Sequence, residues 1–573
     1  MTGLPLPAGT VKGADARTET GRSWTSWIGF ALLGMVTLIS VGRVYFLEVQ
    51  AIGDDVITIR ICHWQLEAGY RESLQRTIEA YQERVNGGDG VPPKFGKPVR
   101  IIQQPIGARF YGQWVNTRLI SRDAPDLIQL GMTRLSREPQ YMARFYVALA
   151  DILDRPNPYN AGTSLDGIAW RETFIDGMQG QYKPEFQDYF AVPTTIFPRR
   201  LFYNRELLER ATGSSTPPAT FGELMAACEK LKQIRLPDGR MLVPISGSNY
   251  EMNFEIFGRY AASFTSSFED ALDLDLSGEL SEIESYVAFL QGKWNMSSPQ
   301  VRTYWECMLA LTDQWTPGFM SVDRQQAAFL FVQGRAAMYA SGAWDFGSLV
   351  KQARFPVGVM QFPLPGPGEP FYEQVHGPVS EATLGTELIY ALNKLSRHQD
   401  VAIDFLHFVT SQEQNARYTA PVSWVPAVIG AEVPAELSGF AVDPVGGHPN
   451  ANVLHFNKWS KIRTGLNGAM WKFLSRERGY TYEQFASDFE TVLRDPVSGP
   501  DRQWDLDYAG ARVWTRNLER AIGVQTVLEH LSPTATDAAD KRNKLILQQA
   551  RSNDGGVLRY LSRVHRGRDP EEP

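Results

Sequence analysis

Cysteine is nearly absent: three in 573 residues, Cys62, Cys228 and Cys307, far apart and odd in number. That excludes a disulfide framework and any CxxC metal site. An excess of positive charge is missing too. The 57 basic residues are outnumbered by 64 acidic ones, for a net charge of -7, so a chain-wide affinity for nucleic acid is not expected. No GxGxxG, Walker A or GxSxG segment occurs, and the DLDLD stretch around Asp273 lacks EF-hand spacing. His63, His398 and His407 do not fall at metal-ligand spacing. The sequence therefore offers no cofactor and no metal site. Internal repeats are lacking as well. The chain does have an ordinary globular composition, 43% apolar and 21% charged, long enough for two to four structural units.

One stretch lacks charge altogether. No residue between Arg22 and Arg43 is ionised, and Ser23 to Gly42 supplies twenty residues, enough to span a bilayer core as a helix. Trp24 and Trp27 at one end and Tyr45 and Phe46 at the other suit the headgroup regions. The expectation is a cytoplasmic tail over 1–22 and a transmembrane anchor over 23–46, with the remainder outside the cytoplasm. A cleaved signal peptide is the alternative, although its apolar region should be shorter and end in an A-x-A-like site.

Beyond the anchor the patterning alternates. Val56 to Cys62 places Ile57, Ile59 and Ile61 on one strand face. Tyr70, Leu74, Ile78, Tyr81 and Val85 then form one stripe of a helix. Strands are expected at Val99–Gln103 and Asp126–Leu130, with a helix between them. This order predicts a parallel sheet whose loops gather at the strand C-terminal ends, the edge where ligands bind. Trp64 and Glu67 follow the first strand on that edge; Arg109 and Gln113 follow the second. The pattern restarts after residue 190, with strands at Leu201–Asn204, Ala336–Ser341 and Leu388–Leu392, and a capping box at Thr220 and Glu223.

Four segments, AFLFVQGRAAMYASGAWDF (327–346), LFYNRELLERATGSSTPPATFGEL (201–224), DAPDLIQLG (123–131) and ALNKLSRHQDVAIDFLHFVTSQEQNARY (391–418), occur in register. Together they resemble the extracellular solute-binding proteins of family 1, the maltose-binding-protein-like carbohydrate receptors of ABC importers. The resemblance spans about 56–495. It implies an α/β, two-lobed periplasmic-binding-protein-like (type II) fold, from which this sequence departs in keeping an N-terminal transmembrane helix and in carrying a helical C-terminal extension. The expected division is 56–191 plus 378–425 for lobe I, 192–377 plus 426–495 for lobe II, and 496–573 for the extension. That extension carries eight Lys or Arg and one acid between Lys541 and Arg568, which fits a helix packed on the second lobe or lying on a membrane.

A pyranose presents a C–H face for an aromatic ring and a rim of hydroxyls that need partners once dehydrated. Trp344 is the leading platform, because Gly342 permits close approach after a strand and the family stacks sugar on the Trp of this segment. Trp459 resembles the second-lobe Trp, and Trp64 sits where such receptors place contacts. Glu67, Arg109, Glu251 and Asn253 are the polar candidates. Phe197 reads equally as platform or core, and Asp126, Tyr203 and Asn204 read as architectural. The expected partners are a mono- or oligosaccharide, the ABC permease subunits and, through the anchor, the membrane. A sensory module coupled to a signalling partner is the alternative output. A glycoside hydrolase would need two carboxylates across the scissile bond, which no sequence pattern here marks.

Overall fold

The computed structural model describes residues 55–506 together with 523 and 527, apart from 66, 68, 89, 132–138, 184–185, 187, 249–256, 275–279, 382–385, 443–446, 449–450, 457–459, 498, 501 and 503. The expected anchor, Ser23–Phe46, lies outside these residues, as does nearly all of the expected C-terminal extension. No helix among the described residues is long and apolar enough to cross a membrane.

In chain order the strands are β1 (Ile57–His63), β2 (Val99–Pro105), β3 (Leu127–Gln129), β4 (Tyr182–Lys183), β5 (Asp188–Tyr189), β6 (Thr195–Ile196), β7 (Arg199–Asn204), β8 (Val243–Ser246), β9 (Ala336–Gly342), β10 (Val357–Met360), β11 (Thr386–Glu387), β12 (Tyr390–Leu392) and β13 (Val425–Pro426). The first sheet runs β12-β3-β1-β2. Its β1, β2 and β3 are parallel, as the alternation of strand and helix predicts, and β12 closes the sheet antiparallel to β3. Ile57, Ile59 and Ile61 point from β1 into one core beneath the helix Tyr70–Asn86, while Cys62 points into a second core with Tyr111 and Val115. A fully buried side chain of this size contributes roughly 1.5–3 kcal/mol.

The second sheet runs β10-β7-β9-β8. Along β7 the faces alternate again: Leu201 and Tyr203 enter the core of the helical side, and Phe202 enters the core shared with the first sheet. Two architectural expectations are met. Asn204 caps the helix Arg205–Thr212 by accepting from the Leu207 N–H at 3.1 Å. Asp126 accepts from the Arg60 backbone N–H at 2.8 Å and from the Ser396 hydroxyl at 2.6 Å, tying β3 to β1 and to the segment after β12.

Between the sheets lies a short three-stranded ribbon, β11-β6-β13, all antiparallel. Each strand has only two residues, too few to show any periodicity in sequence. Each is also a separate passage of the chain, so the backbone crosses this ribbon three times.

Candidate functional site

Connectivity sets two edges against the same ribbon. In the second sheet β7 begins at Arg199, three residues past β6, and Arg199 pairs with Gly342 at the end of β9. In the first sheet β12 begins three residues past β11, and Tyr390 pairs with Gln129 at the end of β3. The C-terminal ends of β1, β3, β8 and β9 therefore face the ribbon from both sides, which makes the region between them the candidate site.

Trp344 follows β9 in a single 3-10 turn, Ala343–Asp345. Its indole folds back on Gly342: a Cβ added there would lie 2.1 Å from the ring, so only glycine admits this pose. The ring is half-buried, meets Phe197 edge-on at 5.6 Å, and has the guanidinium groups of Arg199 and Arg324 over it at 5.4 and 5.6 Å. Arg324 is itself held by Asp345 at 2.6 Å, and Asp345 also accepts from the Ser341 hydroxyl. The indole N–H is buried and meets no acceptor among the described residues. The result is an aromatic surface with cationic donors and one unused N–H.

From Trp344 an aromatic series runs across the ribbon. Phe197, 6% exposed and just past β6, meets Trp424 edge-on at 5.0 Å, and Trp424 lies 5.3 Å from Tyr70. The Tyr70 hydroxyl in turn meets those of Tyr390 and Tyr418. Burial drives the Tyr70 pKa well above its usual value, so it stays neutral. Phe197 thus serves as a core contact of this series, and Trp424 and Tyr70 belong to the same series although sequence reasoning did not single them out as site residues.

On the opposite edge Trp64 is half-buried, with its backbone N–H donating to Gln129 Oε1 at 3.3 Å and its ring edge-on to Tyr111 at 5.0 Å. Glu67 is exposed in the same loop, and its carbonyl accepts from the Tyr70 N–H at 3.1 Å. Arg109 is exposed in the first turn of the helix Ala108–Ile120, its guanidinium 5.9 Å from the Phe110 ring. These three lie along the first sheet's edge. Gln113 instead faces a shallow hollow with Phe110 and Trp114. Trp459, Glu251 and Asn253 lie outside the described residues. The chain on either side of them, Phe257 and Phe456, lines a second-sheet cavity with Tyr304, Trp305 and Asn467.

A further cluster was not anticipated. Among the described residues, Arg199, Arg200, Arg259 and Glu381 line a small cavity beside β7. The Arg-Arg pair that opens an otherwise apolar strand was the available signal. Burial would raise the Glu381 pKa, but Arg200 and Arg259 outweigh it and hold the carboxyl below its ordinary value. His63 is buried, and burial lowers its pKa to about 4. The three cysteines are buried and free, and burial pushes the Cys62 thiol up to about 12. Among the described residues no cluster of three or more His, Cys, Asp or Glu could hold a metal ion. The arrangement offers stacking surfaces and hydrogen-bond donors.

Solved structures with this architecture include a chitin oligosaccharide binding protein (15% identical, covering 76% of this chain and 98% of that one, TM-score 0.51). Another is the cyclic alpha-maltosyl-1,6-maltose binding protein from Arthrobacter globiformis (14%, 76% and 99%, TM-score 0.51). A third is RafE from Streptococcus pneumoniae in its apo form (14%, 76% and 97%, TM-score 0.51). At these identities the likeness is one of fold. No curated protein matches the chain by sequence. The family model for bacterial extracellular solute-binding proteins matches residues 144–438, just over half of the chain. Its members are solute receptors, not enzymes, and an extracytoplasmic location goes with them. The two sheets, the triple-crossed ribbon and this match together make the chain a member of the bacterial extracellular solute-binding protein family.

Proposed function

We propose that this receptor binds a mono- or oligosaccharide in the gap between the two sheet edges, closes around it by bending at the ribbon, and delivers it to an ABC importer. In this reading Ser23–Phe46 tethers the chain to the cytoplasmic membrane. The moving bodies are 56–191 plus 378–425 and 192–377 plus 426–495. Trp344 stacks on the sugar, Trp64 and Trp459 supply further ring faces, and Glu67, Arg109, Glu251 and Asn253 take hydroxyls. The observation behind it is the indole of Trp344, laid on Gly342 at an edge that faces the ribbon, with its N–H unused. Fold neighbours whose names specify chitin oligosaccharide and a cyclic maltosyl-maltose support the choice of ligand class.

Calorimetry of the purified chain against a panel of glycans tests this reading. Binding of at least one saccharide is expected, and no heat from any member of the panel overturns it.

A further inference from the structure

A second aromatic recess lies on the side of the second sheet where β8 ends. Gly247, the residue after β8, has the Trp315 indole laid against it, and an added Cβ would meet that ring at 2.2 Å. Trp315 in turn meets Phe257 edge-on at 5.8 Å. Phe257 opens the helix Phe257–Thr265 and lines a cavity of about 100 Å³ together with Ala261, Trp305, Asn467 and Met470. Phe257, Ala261 and Met470 are buried and give the cavity apolar walls. His455 and Arg463 also line it, and both are exposed.

Trp305, 3% exposed on the helix Pro299–Thr312, packs against the rings of Tyr304 at 4.8 Å and Phe485 at 5.0 Å. Its indole N–H is buried and meets no acceptor among the described residues. A buried donor left without a partner is costly, and the cavity beside it is where an acceptor can enter. Asn467, half-buried on the helix Ser460–Leu474, makes no side-chain hydrogen bond among the described residues either. The lining thus offers an unused donor on Trp305 and an amide on Asn467 that both donates and accepts. Size then restricts the occupant. At roughly 30 Å³ for each water in the liquid, this volume takes about three or four non-hydrogen atoms. A pyranose ring is too large, and a lone hydroxyl leaves the apolar walls uncovered. A carboxylate would bury its charge against Phe257, Ala261 and Met470. An acetamido group fits in size and brings a carbonyl, an N–H and a methyl.

We infer that the saccharide carries an acetamido substituent seated in this cavity, its carbonyl accepting from the Trp305 indole N–H, its N–H donating to Asn467 Oδ1 and its methyl lying on Phe257 and Met470. This assignment rests on the saccharide reading above and narrows the ligand to sugars that contain an N-acetylhexosamine.

The test is calorimetry on the full-length chain with saccharide pairs that differ only at C2, glucose against N-acetylglucosamine and galactose against N-acetylgalactosamine units, as monomers and as short oligomers. Glucosamine, which has the nitrogen without the acetyl, is a separate arm. The acetamido member of a pair is expected to bind at least about tenfold tighter, the scale of one buried donor gaining its partner. Trp305→Phe keeps a ring and removes the N–H. It is expected to lower the acetamido-to-hydroxyl affinity ratio by about the same factor while leaving the affinity for the hydroxyl sugar within about twofold. Asn467→Ala is expected to lower that ratio about threefold. The wild-type comparison decides the matter even if the Phe variant does not fold. Equal affinities within the pairs overturn the acetamido assignment and leave the saccharide reading standing. Glucosamine binding as tightly as N-acetylglucosamine also overturns it, because the nitrogen and not the acetyl group is then what the protein recognises. Silence from every sugar overturns both.

Discussion

Trp344 and Gly342 act as one unit, and each tests the other. Trp344→Ala is expected to weaken saccharide binding about tenfold, near 1.4 kcal/mol, the upper part of what an aromatic contact contributes beyond its area; calorimetry reads it directly. Gly342→Ala should do comparable damage without touching the ring's chemistry. Its Cβ would lie 2.1–2.4 Å from three indole atoms, so the indole must leave its seat or the strand must shift, at about 1–3 kcal/mol. Thermal melting together with tryptophan fluorescence separates the two outcomes. His63 makes a pH prediction. Its folded pKa of about 4 lies below the ordinary 6.5, so the unfolded chain binds the extra proton between those values. Stability from keeping this ring neutral is complete above about pH 6.5 and is lost as pH falls toward 4, on the order of 3 kcal/mol. A pH series of denaturant midpoints should show that slope, and His63→Gln should reduce it without abolishing it, because burial lowers the His407 pKa to about 4 as well. Trp344 could be picked out in sequence because glycine and tryptophan adjoin a strand. Arg259 could not, because its meaning depends on Glu381, 122 positions away.

At the scale of elements, caps and sheets were legible to different degrees. The stretch YNRELLERATG displays its own helix, with Asn204 at the start and Gly213 at φ 78° at the end. Asn204→Ala is expected to cost about 1 kcal/mol, measurable as a shift in denaturant midpoint at constant slope. The capping box expected at Thr220 and Glu223 forms only by half. The Thr220 hydroxyl accepts from the Glu223 N–H at 3.3 Å, but Glu223 reaches the N–H of Ala219 instead of Thr220. Glu369, from a distant loop, takes the Thr220 hydroxyl and the Gly222 N–H. Local pattern located that helix start and could not foresee a tertiary competitor. The first sheet was readable because its strands alternate with a helix stripe. The ribbon was not, because two-residue strands such as β6, β11 and β13 have no period.

Across the whole molecule the two sheets share one buried core. Phe197 joins Trp344 to Trp424. The turn after Trp344 also meets the opposite side: a Cβ on Gly347 would approach the Val422 carbonyl to 3.1 Å. Phe197→Ala is expected to destabilise the fold by about 3–5 kcal/mol and to broaden the distribution of shapes in small-angle scattering without ligand. If scattering stays unchanged while stability falls, the ring is core packing with no part in positioning the two sides.

The triple passage through the ribbon has a consequence for how the protein is made. Synthesis proceeds from the N-terminus, yet the first sheet is completed by β12, and the ribbon by β13 at Val425–Pro426. Everything from β1 onward must therefore wait, with an unpaired edge on β3, while more than two hundred intervening residues emerge and form a different body. A polypeptide stalled on the ribosome short of residue 390 should remain protease-sensitive throughout its leading segment, and release past residue 426 should confer resistance on both halves together.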